Sequence, residues 1–278
     1  MIDDDAEPDR AANRRGLKVH LRVIAIGATT YRVVSLRPAT PARFSTNHFH
    51  GAWHVITGCG GAAVLGRLLW GLAFQRQPHT LLWLDAPHVT STPFDGDRAD
   101  PIAILPAGLT GFVPDHLRVL RDRVRRVAPT TTIRWHSFGL PDALTDEDRW
   151  STRRHEPRTT FARERMSRTA GVVCYTAPPI LLRAHGVDVY AMRRAHRGSY
   201  LPLAEHRVPG VWGPEGEVQV IPHFDDDVAA AAVSRREVLG PGDAPSRPID
   251  AADREAIWRH LAVVQARRQR ARSRSARR

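Results

Sequence analysis

The sequence predicts an α/β protein: a Rossmann-like, mostly parallel sheet with an N-terminal hairpin before it and a less regular α+β C-terminal half after it. Three observations predict this. Trp53 to Thr57 and Thr80 to Leu84 are short apolar runs of strand length, and Ala62 to Gln75 between them has the length and apolar content of a helix, so Trp53 to Asp85 reads as one β-α-β unit. Strand-like and helix-like stretches then alternate as far as Phe138, the pattern of a sheet built with right-handed crossovers. The 278 residues are enough chain to bury a substantial core.

Taken in order, residues 1–16 are acidic and then polar and read as a disordered lead. Leu17 to Ile26 and Tyr31 to Leu36 flank a Gly27-centred turn, a hairpin signal. After the central unit, Ala86 to Asp100 reads as a loop and Pro101 to Leu105 as a strand. Pro114 to Arg126 is an amphipathic helix with Leu117, Leu120 and Val124 on one face, and Thr131 to Phe138 a further strand. Region 17–140 is therefore the Rossmann-like part, and 141–168 a charged linker or excursion. Region 169–264 is α+β, with strands at Gly171 to Ala177 and Val187 to Met192, and a hairpin around Gly213 to Gly216. Pro178-Pro179 is expected to break any helix. Asp225 to Asp227 open a helix through Val238, and Asp250 caps a last one carrying Ile257, Trp258, Leu261 and Val264. Residues 265–278 form a basic tail. No internal repeat is legible.

Composition excludes several chemistries. Forty of the 41 basic residues are arginine and Lys18 is the single lysine, so a phosphate loop ending Gly-Lys-Ser/Thr and a Tyr-x-x-x-Lys pair are both absent. Cys59 and Cys174 do not make a disulfide framework and the N-terminus lacks a signal-peptide pattern, so the expected location is cytoplasmic. His54 and Arg67 within the apolar stretch Gly51 to Phe74 argue against a membrane span. His48, His50 and His54 lack the paired cysteines or helical His-Glu-x-x-His pattern of a zinc site, and no metal is assigned.

The one stretch that suggests a chemistry is the turn Gly58-Cys59-Gly60-Gly61. Gly58, Gly60 and Ala63 fit the dinucleotide spacing G-x-G-x-x-G/A, and Gly61 extends the turn. Asp85, at the end of the next apolar run, is placed to accept from a ribose hydroxyl. Thr57-Gly58-x-x-Gly61 with Leu65-Gly66-Arg67 resembles the glycine turn of short-chain dehydrogenases over about a dozen residues, but that family's Tyr-x-x-x-Lys pair is missing and its chemistry does not carry over. The leading expectation is a site for a nucleotide-type ligand, of the NAD(P) or S-adenosylmethionine kind, in a transferase or oxidoreductase.

The competing expectation is a basic accessory protein gripping nucleic acid. The net charge of +12 concentrates in two stretches, Arg149 to Arg168 and Arg267 to Arg278, each with seven arginines. Arg153, Arg154 and Arg158 in the first, and Arg267, Arg268, Arg270, Arg272 and Arg274 in the second, are the candidate phosphate contacts. A third reading is a partner-binding protein with no activity of its own.

Overall fold

The computed structural model describes residues 16–111, 113–145, 163–205, 214–240 and 249–275. The N-terminal hairpin forms as expected: β1 (Leu17–Ile26) and β2 (Thr29–Leu36) pair antiparallel across Gly27. A second hairpin follows, β3 (Phe44–Phe49) with β4 (Ala52–Thr57), leading into α1 (Cys59–Ala73). Then come β5 (Thr80–Leu84), β6 (Ile102–Pro106), α2 (Pro114–Arg126), β7 (Thr131–Trp135) and the short α3 (Leu140–Ala143). The second half runs β8 (Arg165–Thr169), β9 (Val172–Ala177), α4 (Pro179–Ala191), β10 (Ser199–Glu205), β11 (Pro214–Val220), α5 (Phe224–Leu239) and α6 (Ala251–Ser275).

The strands form two mixed sheets, not one mostly parallel sheet. The seven-stranded sheet has the order β7-β1-β2-β5-β6-β9-β8, and only β2·β5 and β6·β9 are parallel within it. The four-stranded sheet has the order β10-β11-β4-β3, with β11·β4 parallel. The expected β-α-β unit is not made, because β4 lies between β3 and β11 while β5 lies between β2 and β6, in the other sheet. A five-residue apolar run says that a strand is buried on both faces but not which strand it pairs with. β5 is indeed buried along its whole length.

Beneath this lies a duplication that the residue types conceal. Each half contributes a hairpin, a helix, a second pair of strands and another helix. In both sheets the hairpin of one half meets the strand pair of the other. One constant shift carries Gly51 onto Gly171, Thr57 onto Ala177 and Gly66 onto Gly186. The parallel registers correspond as well: Trp53 faces Gly216 as Val173 faces Ile102, and Thr57 faces Val220 as Ala177 faces Pro106. Even the exit bonds match, Ile221 N–H to the Thr57 carbonyl and Ala107 N–H to the Ala177 carbonyl, both 2.8 Å.

The two glycine pairs are where the shared geometry demands glycine. His50 and Gly51 have φ of 51° and 80°, and Ala170 and Gly171 have 52° and 72°, the doubly positive pattern of a tight type I′ hairpin. Gly66 and Gly186 meet where α1 crosses α4. A Cβ on Gly66 would lie 2.7 Å from the Gly186 carbonyl oxygen, and one on Gly186 2.9 Å from the Trp70 nitrogen. The two helices share one core with the inner faces of both sheets, Val34, Ile104 and Tyr175 from one and Phe44, Val55 and Val218 from the other. Leu117, Leu120 and Val124 of α2 cover the outer face of the large sheet, and Phe224 and Val228 of α5 pack on Ile56 of the small one.

Two further expectations are corrected, and a third is made more definite. Val187 to Met192 is helical from Val187 to Ala191, because Pro179 sits at the start of α4, where its missing N–H costs nothing and its fixed φ suits a helix. Arg165–Thr169, of which Arg165 to Arg168 are expected in a charged linker or excursion, is an edge strand in which Met166 is buried. The basic tail is helix as far as Ser275, continuous with the segment capped by Asp250, whose Oδ1 accepts from Asp253 N–H at 2.8 Å. No helix among the described residues is long and apolar enough to cross a membrane.

Candidate functional site

A cavity of about 830 Å³ opens where β3 and β4 meet the loop 92–100 and α6. Its wall is organised by strand register. Asn47 of β3 lies opposite His54 of β4, and His54 lies opposite Glu217 of β11, so the three form one rung across the sheet. His54 is 6 % exposed, and its Nε2 is 3.5 Å from Glu217 Oε1. Its Nδ1 is buried with no hydrogen-bond partner, and so is Oδ1 of Asn47 beside it. Buried polar atoms are paired in nearly every case, and leaving one unpaired costs about 1–3 kcal/mol. Two such atoms side by side on a cavity wall fit a ligand that completes them.

The rest of the lining suits a flat, partly apolar molecule. Phe49, Phe94, Trp53 and Trp258 contribute rings; Trp53 packs 4.8 Å from His48, and Phe49 edge-on to Trp258 at 6.3 Å. Two of the three lining arginines are paired within the protein: Arg168 with Asp100 through Nε at 2.5 Å and Nη2 at 3.3 Å, and Arg254 with Asp95 at 3.2 Å; Arg98 is the third. Burial lowers the His54 pKa, opposed by the Glu217 charge and reinforced by His48 and His50. The imidazole is thus neutral near pH 7. With the Glu217 carboxylate, which also accepts from Gln219 Nε2, facing Nε2 and favouring the proton there, the Nδ1 lone pair can accept a proton or a hydrogen bond.

The symmetry mate of this rung is different in character. Ser167, Cys174 and Ala103 occupy the corresponding register positions, and Ala103 and Cys174 belong to the apolar cluster under α2. Burial pushes the Cys174 thiol up to about 12. A second polar group, the Tyr175 hydroxyl, donates to Glu164 Oε1 at 2.6 Å and lies 2.7 Å from His185 Nδ1. All three residues are at most 3 % exposed, which makes this network part of the core.

The expected glycine site is only partly assembled. Gly58, Gly60 and Gly61 line a separate cavity of about 610 Å³ with Arg43, Asp225 and Asp226. Gly61 is required by packing, since a Cβ there would strike the Thr57 side chain, whereas one on Gly60 would meet only the Pro41 carbonyl oxygen at 3.6 Å. Ala63 packs against the cluster of Trp70 and Leu140. Asp85 is not on that cavity; both its oxygens are taken by Arg125, at 2.8 and 3.2 Å.

Of the arginine candidates, Arg153, Arg154 and Arg158 lie outside the described residues. Arg267 is bound by Glu237 at 3.0 and 3.2 Å, and Arg272 by Asp226, while Arg270 and Arg274 are exposed on α6.

The rung itself was missed because His48, His50 and His54 invite comparison only with metal ligands. Among the described residues no three His, Cys, Asp or Glu side chains gather as a metal cradle. The available signal was a histidine inside a run otherwise buried as a strand, where a polar side chain needs a reason. Glu217, Phe94 and Trp258 carried no such signal, since only the register and the packing of α6 bring them in. Compared with protein-family models, with curated proteins and with solved structures, the chain has no match among any of the three.

Proposed function

We propose that this protein binds a neutral planar heteroaromatic ligand of the nucleobase or nucleoside class in the cavity between β3, β4 and α6, with His54 as hydrogen-bond or proton acceptor. The observation that carries the reading is the pair of unpartnered buried atoms, Nδ1 of His54 and Oδ1 of Asn47, at adjacent register positions on the wall of this cavity. An edge of a base that presents two N–H donors, such as an amino group beside a ring N–H, complements two acceptors, and the surrounding rings complement its faces. The internal pairing of Arg168 and Arg254 favours the uncharged part of a nucleotide at their side of the cavity, with Arg98 the lining arginine left for a charged group. Glu217 opposite His54 is the arrangement of a base held by an orienting carboxylate, which supports proton abstraction from the bound ligand.

The test is a thermal-shift panel of free bases, nucleosides, NAD(P) and S-adenosylmethionine. A ligand at a hundred times its dissociation constant adds about 2.7 kcal/mol, several degrees for a chain of this size. The expected result is a shift with a base or nucleoside that is lost in Asn47→Ala and in His54→Gln but kept in Gly60→Val. The open space beside Gly60 favours one second reading, a nucleotide-type ligand at the glycine turn. That reading gives the opposite pattern, loss in Gly60→Val alone.

A further inference from the structure

A smaller cavity, about 320 Å³, lies on the other sheet, walled on one side by Val124 and Arg125 at the C-terminal end of α2. The outer face of the large sheet changes character there. Ile24, Tyr31, Val33 and Leu81 lie under α2. The next rung runs from Thr132 through His20 and Ser35 to Trp83, and its outer members are polar. Trp83 is 1 % exposed, yet its indole N–H has no hydrogen-bond partner. It lines this cavity with His20, Arg22, Ser35 and Arg125.

The polar groups on the wall are chiefly donors. Arg22 is fixed by Nε to the Val127 carbonyl at 2.8 Å and by Nη1 to Ser35 Oγ at 2.7 Å. Asp85 also reaches the wall, but its charge is matched by the two bonds from Arg125. The His20 pKa is lowered by burial first and then by Arg22 and Arg37, a mark of local positive potential. Lys18 and Arg134, neighbours in register, add charge to the same side of the sheet.

We propose that this cavity is a second binding site, for a phosphate-type oxyanion, whose oxygens accept from the Trp83 indole N–H and pair with Arg22. A buried donor facing an anion gives a charge-assisted bond, and cations around it supply the attraction. The site rests on different residues from the proposed base pocket, and each can fail without the other.

The experiment follows the ¹⁵N indole signals of the whole protein, with Trp83 assigned through Trp83→Phe, during titration with inorganic phosphate, sulfate or sodium chloride, and separately with a short single-stranded oligonucleotide. Saturable movement of the Trp83 signal with phosphate, absent with chloride, supports the site. Movement with the oligonucleotide alone supports the same chemistry with a polynucleotide backbone as its source. Arg22→Gln, which keeps Trp83 as reporter, should weaken binding about tenfold or more, the scale of one charge-assisted bond. Only a drift shared with sodium chloride, or unchanged affinity in a folded Arg22→Gln protein, overturns the proposal.

Discussion

At the scale of single residues, the informative groups are polar atoms placed where the fold offers them nothing. His54 has a consequence that needs no ligand. Its pKa in the folded protein is below the ordinary histidine value of about 6.5, so between those two pH values the unfolded chain binds more protons than the native one. Stability therefore falls as pH drops below about 6.5 and is fully present above it. His20 acts in the same direction. The expected outcome is that His54→Gln shows a smaller loss of melting temperature between pH 7.5 and pH 5.5 than wild type; an equal loss would place the protonation elsewhere. The sequence shows this histidine among apolar neighbours, which is enough to mark it as unusual. It does not show Asn47 and Glu217 on either side, because cross-strand neighbours are far apart in the chain.

At the scale of elements, local pattern and neighbourhood part company. The apolar face of α2, the hairpin of β1 and β2 and the burial of β5 were all legible, since each depends on residues within one segment. The start of α4 was misjudged for an equally local reason: two prolines forbid continuing a helix but favour beginning one. What no segment contains is its partner, and so β4 and β5 were joined across α1 when each pairs elsewhere. The crossing of α1 and α4 makes this testable. Gly66→Ala puts a methyl group 2.6 Å from Tyr190 Cβ and 2.7 Å from the Gly186 carbonyl, with backbone on one side that cannot swing away. It should destabilise by about 1–3 kcal/mol, the usual cost of overpacking, read from urea or thermal unfolding. The same change at Gly108, where nothing lies within 4 Å but φ is +81°, tests backbone strain without the packing term.

At the scale of the whole molecule, neither half closes its own sheets. The parallel seams β4·β11 and β6·β9 both join one half to the other, as does the contact of α1 with α4. Fragments 1–145 and 163–278 made separately should each lack cooperative unfolding, and mixing them should restore native circular dichroism and a melting transition. Independent folding of either one would show that its hairpin and strand pair can close on each other. The duplication was invisible in the sequence because it survives as geometry. Side chains at matching positions differ almost everywhere, and glycine persists where a positive φ or a backbone contact leaves no alternative. Net charge also says little about which arginines are available: Arg168, Arg267 and Arg272 are engaged with carboxylates of their own chain, whereas Arg270 and Arg274 are exposed on α6.

The unequal rungs of the two sheets have a further meaning. A framework present twice has a division of labour open to it: the copy at Ala103 and Cys174 holds the chain together, and the copy at Asn47, His54 and Glu217 is released from that task to face a cavity. Substitutions at the small-sheet rung should therefore alter binding with little loss of stability, whereas polar substitutions at Ala103 or Cys174 should unfold the large sheet first.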